Sequence, residues 1–308
     1  AVQDIIANPT IVRAHNYGDI EFILKEADKN PLNSNQVWQM YVESPRAILD
    51  YQVGSSNIGV WNREHIFPQS RGGFSGGTSS TADGIGVWLP TNADDILSGH
   101  ADAHHLRAED GAENSTRSNR DYGSDYNGPT GSQGSWNGDV ARALFYMAVR
   151  YNGLNLVNGN PSDAIVGQMG DLASLLTWNT TDPRDDFEMN RNNYIYTWQM
   201  NRNPFIDYPL LADYIFGANF GQPWSSTLST QNPIENRVVV YPNPAKEYLI
   251  VSGLEGSSKV EIYTITCQLV QIQNFENNVQ INLDLNAGMY LVKVTNGFQS
   301  TTKKIIIK

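Results

Sequence analysis

Residues 138–153 carry a clear periodic pattern of apolar positions. Their sequence is GDVARALFYMAVRYNG, in which Val140, Leu144, Met147 and Tyr151 recur every three to four residues. This spacing places the four side chains on one face of a helix, as in helices that pack against a core. We therefore predict an amphipathic helix here, with its apolar face buried in a globular domain.

Other stretches predict both helices and strands. In DIEFILKEADKNP, residues 19–31, the apolar side chains of Ile20, Ile23 and Ala27 recur at helical spacing, and an Asn-Pro pair ends the run. Residues 36–44, QVWQMYVES, alternate between apolar and polar as strands do. Further helices are expected at residues 162–177, 185–200 and 209–216.

The pattern changes near residue 227. Residues 227–235, TLSTQNPIE, are polar and predict a linker. From residue 236 onward, seven short apolar runs separated by turn residues predict a small β-sandwich without a cluster of catalytic groups. We therefore predict one domain over residues 1–226 and a second, all-β domain over residues 236–308.

Composition narrows the class of protein. The chain has 308 residues, of which 40% are hydrophobic and 17% charged, which is typical of globular proteins and long enough for two domains. No run of about 18 apolar residues predicts a membrane-spanning helix. The sequence opens with AVQDII, without a methionine or a basic and apolar leader, which predicts a processed form whose export signal has been removed.

The net charge of −11 limits how the chain could bind nucleic acid. Residues 236–308 hold seven of the 21 basic side chains and five of the 32 acidic ones. The first 235 residues therefore hold 14 basic and 27 acidic side chains. This excess of acidic side chains excludes a broad basic surface as the source of affinity for nucleic acid. A nuclease with this charge would instead need a local cleft with arginines and a metal. The single cysteine, Cys267, excludes an intramolecular disulfide and is expected to be a buried small side chain in an apolar strand.

Residues 61–70, WNREHIFPQS, place three ionisable side chains in a strand-like context. The imidazole of His65 is suited to act as a general base near pH 7, and the neighbouring Glu64 carboxylate could hold a hard cation beside it. The alternative is that both are surface residues at the end of a strand, since motifs of this length recur by chance.

A second polar cluster follows at residues 102–123, DAHHLRAEDGAENSTRSNRDYG. Together with residues 61–70, 138–151 and QMNRNPFIDYP at 199–209, this cluster resembles the bacterial endonuclease I family. That resemblance implies a secreted or periplasmic, nonspecific nuclease. It also implies an α+β fold: a helix-rich ββα-metal (His-Me finger) domain, followed here by the small all-β sandwich. In that architecture DAHHLR would form the second strand of the site.

The resemblance also implies roles for individual residues. His65 would be the general base, and Glu64 and Asn114 would hold one Mg²⁺, with Mn²⁺ or Ca²⁺ as other candidates. Arg107 is expected beside the scissile phosphate because its guanidinium can bind phosphate oxygens in pairs. Contacts with substrate are expected from Arg117, Asn119, His104 and Arg63, and Asn119 is the alternative metal ligand. The substrate would be DNA, with RNA as an open alternative, held by its sugar-phosphate backbone and cut to 5′-phosphate products.

Three other interpretations of the first domain stay open at this point. His100 and His104 are four residues apart and could hold zinc, although no cysteine accompanies them. The nuclease-like fold could instead serve a non-enzymatic surface adhesion protein. A phosphodiesterase for small phosphoesters is the remaining enzymatic alternative.

The C-terminal runs carry a resemblance of their own. VYPNPAKEYLIV at residues 240–251, GMYLVKV at residues 288–294 and the terminal KKIIIK resemble the C-terminal sorting domain of proteins exported by the bacterial type IX secretion system. This resemblance implies contact with the secretion machinery, passage across the outer membrane and a secreted or cell-surface location. An immunoglobulin-like accessory domain of unrelated purpose is the alternative.

Overall fold

The computed structural model describes residues 2–87, 89–224, 238–253, 256–266, 268–296 and 299–308. The chain forms two compact units, Ala1–Pro223 and Trp224–Lys308. The first unit mixes helices and strands, whereas the second is all-β. The linker predicted at residues 227–235 and the predicted burial of Cys267 fall outside the described residues.

The first unit is built from helices and pairs of strands. Its helices are α1 (Val2–Ile6), α2 (Tyr17–Ala27), α3 (Gln69–Gly72), α4 (Gly111–Arg117), α5 (Asn137–Arg150), α6 (Leu172–Thr181), α7 (Asp186–Gln199), α8 (Pro204–Asp207) and α9 (Leu211–Ile215). Its strands pair as β1 (Arg13–Ala14) with β5 (Leu89–Pro90), β2 (Gln36–Gln39) with β3 (Ser44–Ala47), β4 (Trp61–His65) with β6 (Leu106–Asp110), and β7 (Asn155–Leu156) with β8 (Gln168–Met169). Short 3-10 helices at Ile96–Ala101 and Ala103–His105 precede β6.

The predicted amphipathic helix is confirmed as α5. Val140, Leu144 and Met147 are fully buried, as the periodic pattern requires. The helix begins directly after the buried Trp136 and ends at Arg150, so its predicted C-terminal end at residue 153 is three residues too far along the chain.

The ladder between β4 and β6 is fixed by a buried core beneath it. Trp61 of β4 and Leu106 of β6 pack in one cluster with Ile20, Ile23 and Leu24 of α2. All five side chains are fully buried. Burying an Ile or Leu side chain contributes about 1.5 to 3 kcal/mol, so this cluster holds the ends of both strands in place.

Strands β4 and β6 run antiparallel, with His65 opposite Leu106 and Glu64 opposite Arg107. Helix α4 follows β6 directly because the Asp110 carboxylate accepts hydrogen bonds from the backbone N–H groups of Ala112 (3.0 Å) and Glu113 (3.1 Å). The order is therefore strand, strand and helix, with the helix starting where the second strand ends.

The strand expected at residues 102–107 is largely wrong, because only Leu106 and Arg107 of that stretch are in β6. The Asp102 carboxylate accepts a hydrogen bond from the backbone N–H of His104 (3.1 Å), which favours the turn of a 3-10 helix over an extended chain. The helix expected at residues 162–177 starts only at Leu172.

The ends of the other predicted helices and strands are set by caps and turns. The late start of α6 follows from Asp171, whose carboxylate accepts from the Ser174 backbone N–H (3.2 Å) and caps the helix. The strand expected at residues 36–44 ends at Gln39, because the chain turns there and returns as β3. The helices expected at residues 185–200 and 209–216 are confirmed as α7 and α9.

The second unit is a sandwich of two antiparallel sheets. Its strands are β9 (Val239–Tyr241), β10 (Tyr248–Ser252), β11 (Ser257–Thr264), β12 (Leu269–Glu276), β13 (Val279–Asn282), β14 (Gly288–Asn296) and β15 (Gln299–Ile307). One sheet has the order β13-β10-β9 and the other β12-β11-β14-β15. Leu249 and Ile281 of the first sheet share one buried core with Ile262 and Val292 of the second. The all-β prediction for this part of the chain is confirmed.

None of the helices in the described part of the chain combines the length and apolar character that crossing a bilayer requires.

Candidate active site

A cleft of about 480 Å³ opens where β4 ends beside α4. Six of the eight residues to which the sequence assigned a role in a nuclease site line it, namely Arg63, Glu64, His65, Asn114, Arg117 and Asn119. The other lining residues are Pro68, Gln69, Ser70, Ser75, Ser115 and Ser118. The strand pairing and the helix cap described above therefore bring two polar segments, about 50 residues apart in the chain, to one cleft.

His65 is held in one orientation by hydrogen bonds to both ring nitrogens. Its Nε2 lies 3.0 Å from the backbone carbonyl oxygen of His100. A carbonyl can only accept, so Nε2 carries the hydrogen and Nδ1 carries the lone pair. Nδ1 lies 3.2 Å from the side-chain amide nitrogen of Gln69, another residue that lines the cleft. The nitrogen that could take up a proton is thus the one on the side of the cleft.

The surroundings of His65 keep its imidazole neutral. Burial, reinforced by the neighbouring His105, lowers the pKa of His65 well below its usual value. The ring is stacked near-parallel to that of His100, with centroids 5.6 Å apart, and lies 6.1 Å from the ring of Phe74. At neutral pH the imidazole is therefore a proton acceptor rather than a cation.

Glu64 is a buried carboxylate at the wall of the same cleft. Its Oε1 accepts a hydrogen bond from the hydroxyl of Tyr41 (2.7 Å) and lies 3.2 Å from the guanidinium of Arg117. Burial raises the pKa of the Glu64 carboxyl to about 7, although Arg117 and Tyr41 oppose this shift. Burial therefore disfavours the charged form of this carboxyl, and a cation bound beside it would favour the carboxylate.

Asn114 and Asn119 come to the cleft from α4 and the turn that follows it. The Nδ2 of Asn114 donates to Oδ1 of Asn62 (2.8 Å), which leaves Oδ1 of Asn114 as the atom that could ligate a cation. Asn119 is fixed through its backbone, whose carbonyl accepts from Arg71 (2.8 Å). Of the two asparagines, Asn114 has a side chain oriented by the strand that carries Glu64.

Arg117 contacts the end of β4 rather than open solvent. Its guanidinium donates to the backbone carbonyls of His65 (3.1 Å) and Ile66 (2.8 Å) and lies 4.5 Å from the centre of the Tyr122 ring. Together with the ion pair to Glu64, these contacts fix the backbone at the end of β4, which carries the candidate base His65 and the candidate metal ligand Glu64. Arg117 is therefore a positioning residue.

Arg63 is the arginine in the cleft whose guanidinium is only half-buried. It lies over the ring of Tyr17, with its central carbon 3.5 Å from the ring centre, and donates to the Tyr17 backbone carbonyl. Tyr17 in turn lies 5.3 Å from the ring of His65. A guanidinium held in this way has a fixed position beside the candidate base.

The structure does not bring Arg107 to the cleft. Its guanidinium lies 2.7 Å from the carboxylate of Asp139 and 3.3 Å from that of Asp28, and it lines a separate cavity of about 300 Å³. The three residues form a largely buried ion-pair cluster, to which Asp28 comes from the residue after α2, Arg107 from β6 and Asp139 from α5, and Arg107 is already paired there with two carboxylates.

His104 also lies away from the cleft. Its Nε2 is 3.2 Å from the Asn201 carbonyl, and its ring packs 4.6 Å from the centre of the Tyr146 ring. The His100 ring instead faces Thr78, whose backbone N–H lies 3.1 Å from its Nδ1. The two histidines considered for zinc are therefore engaged with different partners.

Gln69 was not singled out in the sequence, although it lies closest to the lone pair of His65. The sequence feature that could have identified Gln69 is its position four residues after His65, in the turn that begins with Pro68. A residue at this spacing on the first turn of a helix can reach back to the end of the preceding strand.

The geometry defines a class of protein: a mixed helix and strand domain whose cleft pairs a neutral histidine with a buried carboxylate. The sequence profile of the Endonuclease I family matches residues 2–136 and 132–210. The chain therefore belongs to the Endonuclease I family. The profile of the secretion system C-terminal sorting domain matches residues 239–308, and the resemblance of this unit to type IX sorting domains is confirmed.

Two relatives from Bacillus match about two thirds of the chain. An extracellular ribonuclease of Bacillus amyloliquefaciens is 40% identical over 222 residues, which cover 65% of this chain and 68% of the relative. An extracellular ribonuclease of Bacillus subtilis (strain 168) is 38% identical over 222 residues, with the same coverage. Together with the family, these relatives support a nuclease. The sorting domain indicates that the chain is secreted or displayed at the cell surface.

Among solved structures, PorZ, a surface component of the type IX secretion system of Porphyromonas gingivalis, aligns with 26% of this chain and 12% of its own. The identity is 20% and the TM-score 0.24, which is too low to indicate a shared fold.

Proposed function

We propose that the first unit is a metal-dependent, nonspecific endonuclease with a ββα-metal site. It hydrolyses phosphodiester bonds of DNA and also of RNA, and leaves 5′ phosphates on its products. The observation that carries the proposal is the cleft, which is lined both by a neutral imidazole with its lone pair on the cleft side and by the oxygen-bearing side chains of Glu64 and Asn114.

The donor groups of the cleft fit a hard divalent cation. Carboxylate and amide oxygens from Glu64 and Asn114 are the ligand types that Mg²⁺ takes in proteins, and Mg²⁺ uses few protein ligands because it keeps several waters. The raised pKa of the buried Glu64 carboxyl is consistent with a site made to share its charge with a cation. When bound, the ion supplies charge stabilisation to the phosphate oxygens and the leaving oxygen. Mn²⁺ and Ca²⁺ accept the same oxygen ligands.

His65 acts as the general base in this proposal. Its Nε2–H is held by the His100 carbonyl, so Nδ1 is the nitrogen that takes a proton from a water molecule. The Gln69 amide lies 3.2 Å from Nδ1 on the path of that water, so the Gln69 side chain has to turn aside when the water binds. Arg117 keeps the backbone of His65 in place, and Arg63 is the arginine we assign to the phosphate, because Arg107 is engaged by two carboxylates elsewhere.

The substrate is held through its backbone. The cleft is lined by arginine, asparagine and serine side chains, which suit phosphate and sugar oxygens. The relatives are named extracellular ribonucleases, which supports RNA as a substrate beside DNA. Low sequence specificity follows, because backbone contacts carry no base information.

The test is digestion of plasmid DNA and of a structured RNA by the full chain. Activity should require Mg²⁺ and disappear in EDTA. Glu64→Gln should lower the rate by about a hundredfold or more, since it removes the charge of the cation ligand. Glu26→Gln, a surface carboxylate on α2 that pairs with Lys29, is the matched control and should leave the rate unchanged. Intact nucleic acid in Mg²⁺, Mn²⁺ and Ca²⁺ alike would overturn the proposal and favour a surface-binding protein.

A further inference from the structure

A second group of potential metal ligands lies outside the residues that line the cleft. One ring nitrogen of His15 and one carboxylate oxygen each of Asp19 and Asp83 lie within 4.8 Å of one another. The three residues come from different segments: His15 follows β1, Asp19 is in the first turn of α2, and Asp83 is in the loop that leads to β5. His15 and Asp19 are close together in the chain, whereas Asp83 reaches them only because of the fold.

His15 supplies an observation that is independent of the acidic side chains. The imidazole is 99% buried, and its Nε2 lies 2.7 Å from the backbone carbonyl oxygen of Trp198. Nε2 therefore carries the hydrogen, and Nδ1 is left with an unshared electron pair. Among the described residues, Nδ1 is buried without a hydrogen-bond partner. A buried nitrogen of this kind almost always has a partner, and a metal ion is one that it can take.

The two carboxylates are fixed in place by hydrogen bonds. Asp19 is fully buried, and its Oδ1 accepts from the backbone N–H groups of Asp83 (3.2 Å) and Gly84 (2.8 Å). Oδ2 of Asp83 accepts from the Asn16 side-chain amide (2.8 Å), and the Asn16 backbone N–H donates to Asp19 (3.2 Å). Each carboxylate oxygen has two lone pairs. Oδ1 of Asp19 therefore uses both in these bonds, whereas Oδ2 of Asp19 and Oδ2 of Asp83 each accept one of them and keep capacity for a cation.

We propose that His15, Asp19 and Asp83 form a second cation site, which takes a divalent transition-metal ion such as Zn²⁺. One imidazole nitrogen with two carboxylate oxygens suits Zn²⁺ better than Mg²⁺ or Ca²⁺, which prefer oxygen ligands alone. Ligands of a tetrahedral Zn²⁺ lie about 3.3 Å apart when each bond is about 2.0 Å long. The three groups therefore need to draw together by up to about 1.5 Å when the ion binds.

The site fastens a loop to the start of α2. Beside the proposed ligands, the backbone N–H of Gly18 donates to the Ser79 carbonyl (3.1 Å), and that of Tyr17 donates to the Thr78 hydroxyl (3.1 Å). A Cβ on Gly18 would lie 2.2 Å from the backbone nitrogen of Ala82, so only glycine allows this approach. The ion would thus hold residues 78–84 against the first turn of α2.

The proposed site is connected to the cleft through Tyr17. Tyr17 lies between His15 and Asp19 in the chain, and its ring carries the Arg63 guanidinium and packs against His65. The ion therefore has a structural role, in which it stabilises the part of the wall that holds Tyr17. The ion does not take part in the hydrolysis itself.

The test measures metal binding rather than nuclease activity. The full chain is stripped with a chelator, exchanged into chelator-free buffer and titrated with Zn²⁺ in a calorimeter, and its thermal unfolding is followed with and without Zn²⁺. Asp83→Asn is the informative variant because Asp83 is exposed and its replacement does not disturb the core. Glu64→Gln removes the cleft ligand, and Asp186→Asn changes a matched exposed aspartate on α7.

We expect the wild type, Glu64→Gln and Asp186→Asn to share one Zn²⁺ binding event that raises the unfolding temperature. Asp83→Asn should weaken this event by at least about tenfold and remove the rise in temperature. Absorption of Co²⁺ bound at the same site should show visible d–d bands that disappear in Asp83→Asn. An unchanged affinity in Asp83→Asn, or a loss of binding only in Glu64→Gln, would overturn the proposal. Neither result would bear on nuclease activity in the cleft.

Discussion

The Nε2 of His65 lies 3.0 Å from the carbonyl oxygen of His100, and this contact determines which ring nitrogen is available for chemistry. The carbonyl fixes the tautomer with the hydrogen on Nε2, because a carbonyl oxygen has no hydrogen to give. Because the acceptor is a backbone group, its position does not depend on the rotamer of the His100 side chain. The base is therefore preorganised before substrate binds.

Removal of the His65 imidazole should stop hydrolysis without unfolding the domain. We expect His65→Gly to lower the rate on plasmid DNA by about 10² to 10⁴, the usual contribution of a general base. Free imidazole added to the buffer should restore part of the rate, since the variant leaves space next to the cleft. A circular dichroism spectrum equal to that of the wild type is the control. A His65→Gly variant of unchanged activity would exclude the assigned role.

The buried guanidinium of Arg117 should be needed for stability as well as activity. It pairs with Glu64 and donates to the carbonyls of His65 and Ile66, so Arg117→Met leaves the buried Glu64 carboxylate without its ionic partner and removes one donor from each carbonyl. Breaking such a buried pair costs about 3 to 5 kcal/mol in the free energy of unfolding. Urea denaturation of the full chain, followed by tryptophan fluorescence, measures this loss.

Arg184 provides the comparison for this measurement. It is exposed, and its guanidinium contacts Met189 on the surface. Arg184→Met should change the free energy of unfolding by less than about 0.5 kcal/mol. If both variants had the same small effect, Arg117 would not hold the end of β4 in the way described.

Much of the cleft could be predicted from the order of polar motifs. Glu64 and His65 precede Asn114 by about 50 residues, and the antiparallel pairing of β4 with β6 places α4 beside them. Arg107 belongs to the same motif but leaves the cleft, because Asp28 and Asp139 attract its guanidinium. Asp28 directly follows α2 and Asp139 lies on α5, at distances along the chain from Arg107 that no local pattern reveals.

The ends of several helices and strands were set by single polar side chains, which the periodicity of apolar residues does not take into account. The Asp102 carboxylate turned a predicted strand into a 3-10 helix, and the Asp171 cap moved the start of a predicted helix to Leu172. Periodicity succeeded where burial is continuous, as in α5 and the strands of the second unit. The sequence did not indicate His15 as a metal ligand, because Asp83 comes close to it and to Asp19 only when its loop packs against α2.

His104 and His105 should remain neutral well below the pH at which free histidine is protonated. Burial lowers the pKa of each imidazole to about 4, although Asp102 opposes the shift. In the unfolded chain both titrate near pH 6.5, so below that pH the unfolded state binds protons that the folded state does not. Their contribution to stability is therefore complete above about pH 6.5 and is lost as the pH falls towards 4.

Nuclear magnetic resonance of ¹⁵N-labelled protein tests this directly. The ring signals of His104 and His105 should keep the shifts of neutral imidazole from pH 7 down to about pH 5. The same signals in urea-unfolded protein should titrate near pH 6.5 and serve as the reference. Titration of either ring near pH 6.5 in the folded protein would contradict its burial and the contact of His104 with Asn201.

The stability of both sheets of the second unit should depend on the core that they share. Ile262 of β11 is fully buried between them, whereas Ile272 of the adjacent β12 is 55% exposed. Ile262→Ala leaves a cavity in that core and should lower the free energy of unfolding of this unit by about 2 to 5 kcal/mol. Ile272→Ala removes the same atoms from an exposed position and should cost less than about 1 kcal/mol. Hydrogen exchange of the amides of β11 and β14 in the full chain reports on this unit specifically. Equal loss of protection in both variants would mean that the sheets do not close over a common core.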